Sequence, residues 1–341
     1  MKYSVIIPLF NRPSEIDELL ASLTKQTFQD FEVLVIEDGS SDKAEDIVMD
    51  YSDRLAIHYH YKTNGRQGFA RNYGFERAKG QWLVVFDSDC IIPPRYFEAV
   101  EAFLMAHPDV DVYGGPDAAA PEFSPLQKAI SYSMTSPLTT GGIRGGKKNV
   151  GTFHPRSFNM GISRKAWEVS QGYRITVKGE DIEFSLRLIE HGLKSALIPE
   201  AFVFHKRRTS FTQFRNQVEF FGRARINIQK FYPRELKLLH WMPVGFFLYT
   251  RSLVLIVPGM LALQNTAVAW MAPLPLFTWT MLLYLHAVAK TRSLRIASLS
   301  VLAGFIQISS YGKGLLSEFF IVKVLKRRDS TIGEIREVPL P

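Results

Sequence analysis

Cysteine is almost missing from this chain: Cys90 is the only one in 341 residues. One thiol excludes an internal disulfide framework and suits a reducing compartment. A secretory leader is not visible either. Met1-Lys2 precede an apolar run, Val5 to Phe10, which Pro8 interrupts and Asn11-Arg12 close. That run is too short for a leader core and reads better as a first strand. The loop that follows, Pro8-Leu9-Phe10-Asn11-Arg12-Pro13, has no glycine, which excludes the fingerprint of dinucleotide-binding folds. Repeats and low-complexity segments are absent. The longest gap is in charge: Ser252 to Ala289 contains no Asp, Glu, Lys or Arg, although charges recur every few residues upstream. The chain thus joins a water-facing part to a membrane-like part. Its formal net charge of +8 fits an acidic partner, whether nucleotide, nucleic acid or anionic lipid, without choosing among them.

The first ninety residues alternate strand and helix patterns. Strands are expected over Tyr3 to Leu9, Phe31 to Ile36, Leu55 to Tyr61 and Trp82 to Phe86. Helices are expected over Pro13 to Lys25, where Ile16, Leu19, Leu20 and Leu23 share a face, and over Phe69 to Lys79, with Gly80 as the stop. Ser41 or Asp42 is the expected cap of a helix after the second strand. This alternation predicts an α/β fold with a parallel sheet covered on both faces. Further on, helices are expected over Pro93 to Ala106, Glu180 to His191 and Phe211 to Tyr232. A short strand ends at Gly114-Gly115, and Thr139 to Ser157, rich in glycine and cations, reads as a mobile loop.

The chemistry concentrates at Val84-Val85-Phe86-Asp87-Ser88-Asp89. Carboxylates at i and i+2 project to one side of a strand. At its C-terminal end they suit a hard divalent cation held against a diphosphate. Asp38 ends another strand on the same edge, where ligands of such sheets bind.

Taken together, Ser4-Val5-Ile6-Ile7-Pro8-Leu9-Phe10-Asn11, Gln26-Thr27, Glu32 to Asp42, Ala70-Arg71-Asn72, Asp87-Ser88-Asp89 and Gly179-Glu180-Asp181 resemble family 2 glycosyltransferases over about residues 3 to 210. The resemblance implies a GT-A fold, a Rossmann-like mixed sheet flanked by helices. It also implies a nucleotide-sugar donor (UDP-sugar favoured, GDP-sugar possible), Mg²⁺ or Mn²⁺, and inversion at the anomeric carbon. Pro8 and Phe10 would wall the base pocket, and Asp38 would accept the base N–H. Arg71 would meet the nucleotide with its guanidinium fork. Asp87 would bond the ribose or reach the metal through water, and Asp89 would ligate the metal. Cys90 stands where the family pattern often continues with another acid, and Glu37 stands where it often has Asp. Asp181 would be the general base that deprotonates the acceptor, with Glu180 binding the acceptor or orienting that base. His205 would be a metal ligand or a diphosphate contact. Arg207 and Arg208 would close over the diphosphate or face anionic headgroups. The Gln-x-x-Arg-Trp motif of processive members is missing, which favours one sugar per acceptor.

The expected organisation is a glycosyltransferase domain over 1–235, divided into a nucleotide-sugar half (1–115) and an acceptor half (116–235). Membrane helices follow over 236–328 and a tail over 329–341. Trp241 to Leu263 and Ala267 to Ala289 are each long enough to cross about 30 Å of hydrocarbon, and Gln264-Asn265-Thr266 joins them as a hairpin. A third apolar stretch over about 296–322 either crosses, re-enters or lies flat. Its status is open because one more crossing would strand the last basic cluster on the wrong side by the positive-inside rule. The expectation is an enzyme at the inner (cytoplasmic) membrane, with its catalytic domain in the cytoplasm. It would use a lipid-linked or glycan acceptor in cell-surface polysaccharide or glycolipid synthesis and would bind no nucleic acid. The alternatives are an inactive glycosyltransferase-like scaffold and a nucleotidyltransferase.

Overall fold

A computed structural model describes residues 1–140, 153–176, 179–326 and 335–338. In chain order its elements are β1 (Tyr3–Leu9), α1 (Pro13–Leu23), β2 (Phe31–Asp38), α2 (Glu45–Met49), β3 (Ile57–Lys62), α3 (Arg66–Arg77), β4 (Trp82–Phe86), β5 (Cys90–Ile91), α4 (Tyr96–Ala106), β6 (Val112–Gly114) and β7 (Asp117–Ala118). Then come α5 (Pro125–Thr135), α6 (Pro137–Thr140), β8 (Asn159–Ser163), α7 (Arg164–Ser170), α8 (Glu180–Glu190), β9 (Ser195–Leu197) and β10 (Val203–His205). The chain ends in helices: α9 (Phe211–Phe231), α10 (Met242–Ala262), α11 (Thr266–Met271), α12 (Leu274–Thr291) and α13 (Leu294–Phe319).

The chain divides into two compact units. One comprises 1–120, 145–206 and 330–341; the other comprises 121–144 and 207–329. This division departs from a boundary at residue 235. Helix α9 belongs with the later helices because its apolar stripe, including Phe214 and Val218, packs with Ala303 of α13.

The first unit is a seven-stranded sheet in the order β3-β2-β1-β4-β8-β6-β9. Its four N-terminal strands run parallel, but β8 is antiparallel to both β4 and β6. The sheet is therefore mixed rather than wholly parallel. Strand periodicity sorts the core. Val5, Ile7, Val33, Val35, Val84 and Phe86 pack on the side of α1 and α4. Ile6, Leu34, Ile36, Leu83 and Val85 pack on the side of α3 and α8. Both faces are buried, which is why these strands read as unbroken apolar runs. A small second sheet, β5-β10-β7, sits in the same unit and pairs His205 with Cys90 in antiparallel register.

The helix after β2 is not capped by Ser41 or Asp42. Its N-cap is Ala44, without a side-chain cap, and the buried Glu37 carboxylate accepts the Ala44 N–H at 3.0 Å instead. The longer acid at position 37 reaches across the turn. Most of the loop expected over Thr139 to Ser157 lies outside the described residues, as do Arg327 and Arg328.

Among the described residues of the second unit, three stretches are long and apolar enough to cross a membrane: Leu238–Ala262, Thr266–Thr291 and Leu294–Val324. Asn265 caps α11 through its side chain, so the polar turn falls where the sequence places it. Pro273 separates α11 from α12. The third stretch is one continuous helix, α13, extended by a wider turn over Phe320–Val324. Glycines let it approach its neighbours. A Cβ added at Gly314 would stand 2.1 Å from the Glu219 carbonyl oxygen, and one at Gly222 would stand 2.2 Å from that of Tyr311.

Candidate active site

The site is assembled at the C-terminal edge of the parallel strands. Chain reversals there are tied down by side chains. Asn11 adopts φ +52° just past β1, a conformation Asn tolerates better than most residues. Its Oδ1 accepts the N–H groups of Ser41 at 2.9 Å and Asp42 at 3.1 Å, fixing the loop after β2. Pro8 is half-buried in register with Ile36, and Phe10 is exposed beyond it.

The start of α3 is the hub. The Gly65 N–H donates to Asp38 Oδ1 at 2.9 Å, and Lys62 Nζ pairs with the same oxygen at 2.6 Å. Two residues further on, the Gln67 amide donates to Glu180. Arg71, buried, donates to Asp87 at 2.8 Å and stands 3.5 Å from Glu180, with its guanidinium near the Tyr173 ring. Asn72 donates to the Tyr173 carbonyl at 2.8 Å and accepts its N–H at 2.7 Å, pinning the segment that leads to α8. Gly179, at φ +101°, turns the chain into α8, a backbone conformation that favours glycine. The structure thus links Asp38, Asp87 and Glu180 through a single helix.

Glu180 and Asp181 differ in setting. Glu180 is buried, and that burial, reinforced by the charge of Asp181, pushes its carboxyl up to about 7 against the pull of Arg71. Asp181 keeps 23% of its side chain exposed, with Arg156 at 3.4 Å and its own helix N–H of Ile182 at 2.8 Å. Of the two acids, Asp181 is the more exposed.

Asp89 is held from two sides. Arg12 donates to Oδ2 at 2.8 Å, and His205 Nε2 lies 3.0 Å from Oδ1. Burial alone would raise its carboxyl, but the neighbouring His205 ring and the Arg12 guanidinium hold it well below the usual range. The His205 contact is close but poorly aligned: Asp89 Oδ1 and His205 Nδ1 are both buried without a well-formed hydrogen bond. Ligand atoms of Asp89, Cys90 and His205 lie within 4.8 Å of one another. Burial pushes the Cys90 thiol up, so it stays protonated and faces the Phe158 carbonyl at 3.5 Å. An orphaned carboxylate oxygen beside an imidazole fits a divalent cation, with Cys90 the weakest of the three donors.

Arg207 and Arg208 fall in the second unit; Arg207 is buried there and its carbonyl accepts the Gln127 amide at 3.0 Å. Four cleft residues escape sequence reading: Arg12, Lys62, Gln67 and Arg156. Only Arg12 carries a usable signal, a cation placed directly after a strand whose end faces the acids.

Residues 4–169 match the family model described as glycosyl transferase family 2. The chain is 36% identical over 114 residues to an uncharacterized glycosyltransferase of Rickettsia typhi, covering 33% of this chain and 35% of that protein. It is 34% identical over 152 residues to the poly(ribitol-phosphate) beta-N-acetylglucosaminyltransferase TarS of Staphylococcus aureus, covering 40% of this chain and 26% of TarS. The match therefore spans about a third or less of each of these relatives. Among solved structures, the mannosyltransferase PcManGT of Pyrobaculum calidifontis, in complex with GDP-Man and Mn²⁺, aligns with a TM-score of 0.56 at 17% identity, covering 96% of this chain and 88% of the other. At that identity the likeness carries the fold alone. Residues 4–169 thus match glycosyl transferase family 2, within a chain of GT-A fold that ends in long apolar helices.

Proposed function

We propose that this protein is a membrane-associated, inverting glycosyltransferase that moves one sugar from a nucleoside-diphosphate donor to a hydroxyl of a lipid-linked or membrane-proximal glycan acceptor. One observation carries the reading: the start of α3 ties a nucleotide-side acid, Asp38, to the pair Asp87 and Glu180 across one strand edge. The name of TarS, with an N-acetylglucosaminyl group, and the GDP-Man complex of PcManGT support a nucleotide-sugar donor and leave the base open.

In this reading Pro8 and Phe10 flank the base and Asp38 reads its N–H, with Lys62 holding the carboxylate in place. Arg71 and Asp87 meet the ribose and diphosphate side. Asp89 and His205 would hold Mg²⁺ or Mn²⁺, which supplies a Lewis acid for the departing diphosphate. Asp181 takes the acceptor proton as the hydroxyl attacks from the face opposite the leaving group. Gln67 and Arg71 fix Glu180, which in turn sets the start of α8 that carries Asp181. Arg207 and Arg208 remain candidates for the diphosphate or for lipid headgroups. The domain faces the cytoplasm at the cytoplasmic membrane, where cell-surface glycans or glycolipids are built.

A panel of UDP- and GDP-sugars, titrated with and without Mn²⁺, tests the donor class. Metal-dependent binding by the wild type, lost in Asp89→Ala, is the expected result. Equal binding of every donor without metal, in both proteins, would remove the assignment. Product analysis on the preferred donor then reads the anomeric outcome.

A further inference from the structure

We infer that α13, although long and apolar enough to cross a bilayer, does not cross it. The chain enters only as the hairpin of α10 with α11–α12, and α13 lies along the face from which that hairpin sets out. This inference rests on the membrane association proposed above.

The argument is one of connectivity within the helical unit. The return limb, from the turn before α12 into that helix, passes the start of α10 in the opposite direction. Tyr249 donates to the Ala272 carbonyl at 2.7 Å, and the rings of Phe246 and Trp279 lie 5.1 Å apart. If α10 starts on one face, α12 returns to it near Thr291, and α13 begins there at Leu294. The far end of α13 sits beside the start of α10. Trp241 meets the Phe319 ring at 5.1 Å, Val244 packs with Leu315, and a Cβ at Gly312 would stand 2.1 Å from the Pro243 carbonyl oxygen. Both ends of α13 therefore lie on the starting face. Length is not the obstacle, since 26 residues rise about 39 Å.

Packing agrees. Helix α9 lies along α13 from Phe214 and Val218, near Ala303, to Ile226, near Leu315. It carries Arg215, Glu219, Arg223, Arg225 and Lys230. Glu219 pairs with Lys313 of α13 at 3.0 Å and with Arg223 at 2.6 Å. A crossing α13 would draw this charged helix into hydrocarbon, where ionised side chains are costly. More of the apolar character of α13 serves protein neighbours: a third of its most apolar window (33%) is buried, against 6% for that of the α10 stretch. Lipid is left to α10–α12, whose Leu248, Val254, Leu255, Trp270 and Phe277 are exposed. One face then carries Lys290, Arg292 and Arg295 as well as Lys323 and Lys326, as expected for the side that meets anionic headgroups.

Arg295→Cys and Lys326→Cys, each in sealed vesicles of known orientation, are treated with a membrane-impermeant maleimide. The wild type, whose single thiol is buried, is the blank. Labelling of both variants from the same face is expected. Labelling of the two from opposite faces overturns the inference and leaves the glycosyltransferase reading intact. Release of the wild type by alkaline carbonate would overturn the membrane reading and this inference together. Should either variant misfold, an epitope tag after Pro341 replaces it: protease must reach tag and catalytic domain from one face, and reaching them from opposite faces counts against the inference.

Discussion

The strand-end cleft and the seam between α9 and α13 are built on opposite rules. In the cleft, long charged side chains reach across gaps, and one guanidinium serves two acids. In the seam, side chains are removed so that backbones touch, at Gly222 and Gly314. The cleft depends on chemical identity at almost constant shape. The seam depends on shape and tolerates little added volume. An isosteric change should therefore silence the first and spare the fold, whereas one methyl group should loosen the second and spare the chemistry.

Asp181→Asn sharpens that contrast most. We expect turnover to fall by about 10²–10⁴-fold, the usual worth of a general base, with donor affinity and melting temperature unchanged. Steady-state kinetics alongside donor titration read this, and retained turnover would move the base elsewhere. Arg71→Gln probes the boundary between the two rules, because it leaves two acids near a buried gap. A stability loss of about 3–5 kcal/mol, the range for a broken buried ion pair, is expected by chemical denaturation in detergent. A loss well below that would mean that Arg71 serves ligands rather than the fold. Gly314→Ala should cost about 1–3 kcal/mol through overpacking, seen as a lower melting temperature with Mn²⁺ affinity unaltered. An unshifted melt would show that the seam has slack. The smallest effect is in pH. The Glu180 carboxyl sits at about 7 in the folded protein against an ordinary 4.5. The folded state thus keeps a proton that the unfolded chain gives up, so stability declines as pH rises between those values and levels off above them. Glu180→Gln should flatten that decline, and an unchanged slope would assign it to another group.

Much of this was legible in the sequence, for physical reasons that differ by element. The β1, β2 and β4 strands announce themselves because both sheet faces are covered. Asp38, Asp87 and Asp89 follow from strand-end placement, and the polar turn at Gln264-Asn265 from its apolar flanks. Antiparallel β8 was not legible, since strand direction depends on connections that a short run such as Asn159–Ser163 does not encode. The cap at Ala44 was missed because Glu37 acts across seven residues. Gln67 and Lys62 were missed because their partners, Glu180 and Asp38, lie 113 and 24 residues away. Polar pairing at such separation leaves no periodic trace. The third apolar stretch stays open in the sequence for another reason: a helix surrounded by protein and one surrounded by lipid have the same composition, and only neighbours tell them apart.

Arg71 also makes the two sides of the cleft answer to each other. Its charge is divided between Asp87 and the more distant Glu180. In the proposed reading, a nucleotide anion that engages Arg71 draws that charge away from Glu180, which then holds its proton more firmly. Arrival of one substrate would thereby keep the acid beside the other protonated, visible as an upward move of the Glu180 titration when nucleotide is added.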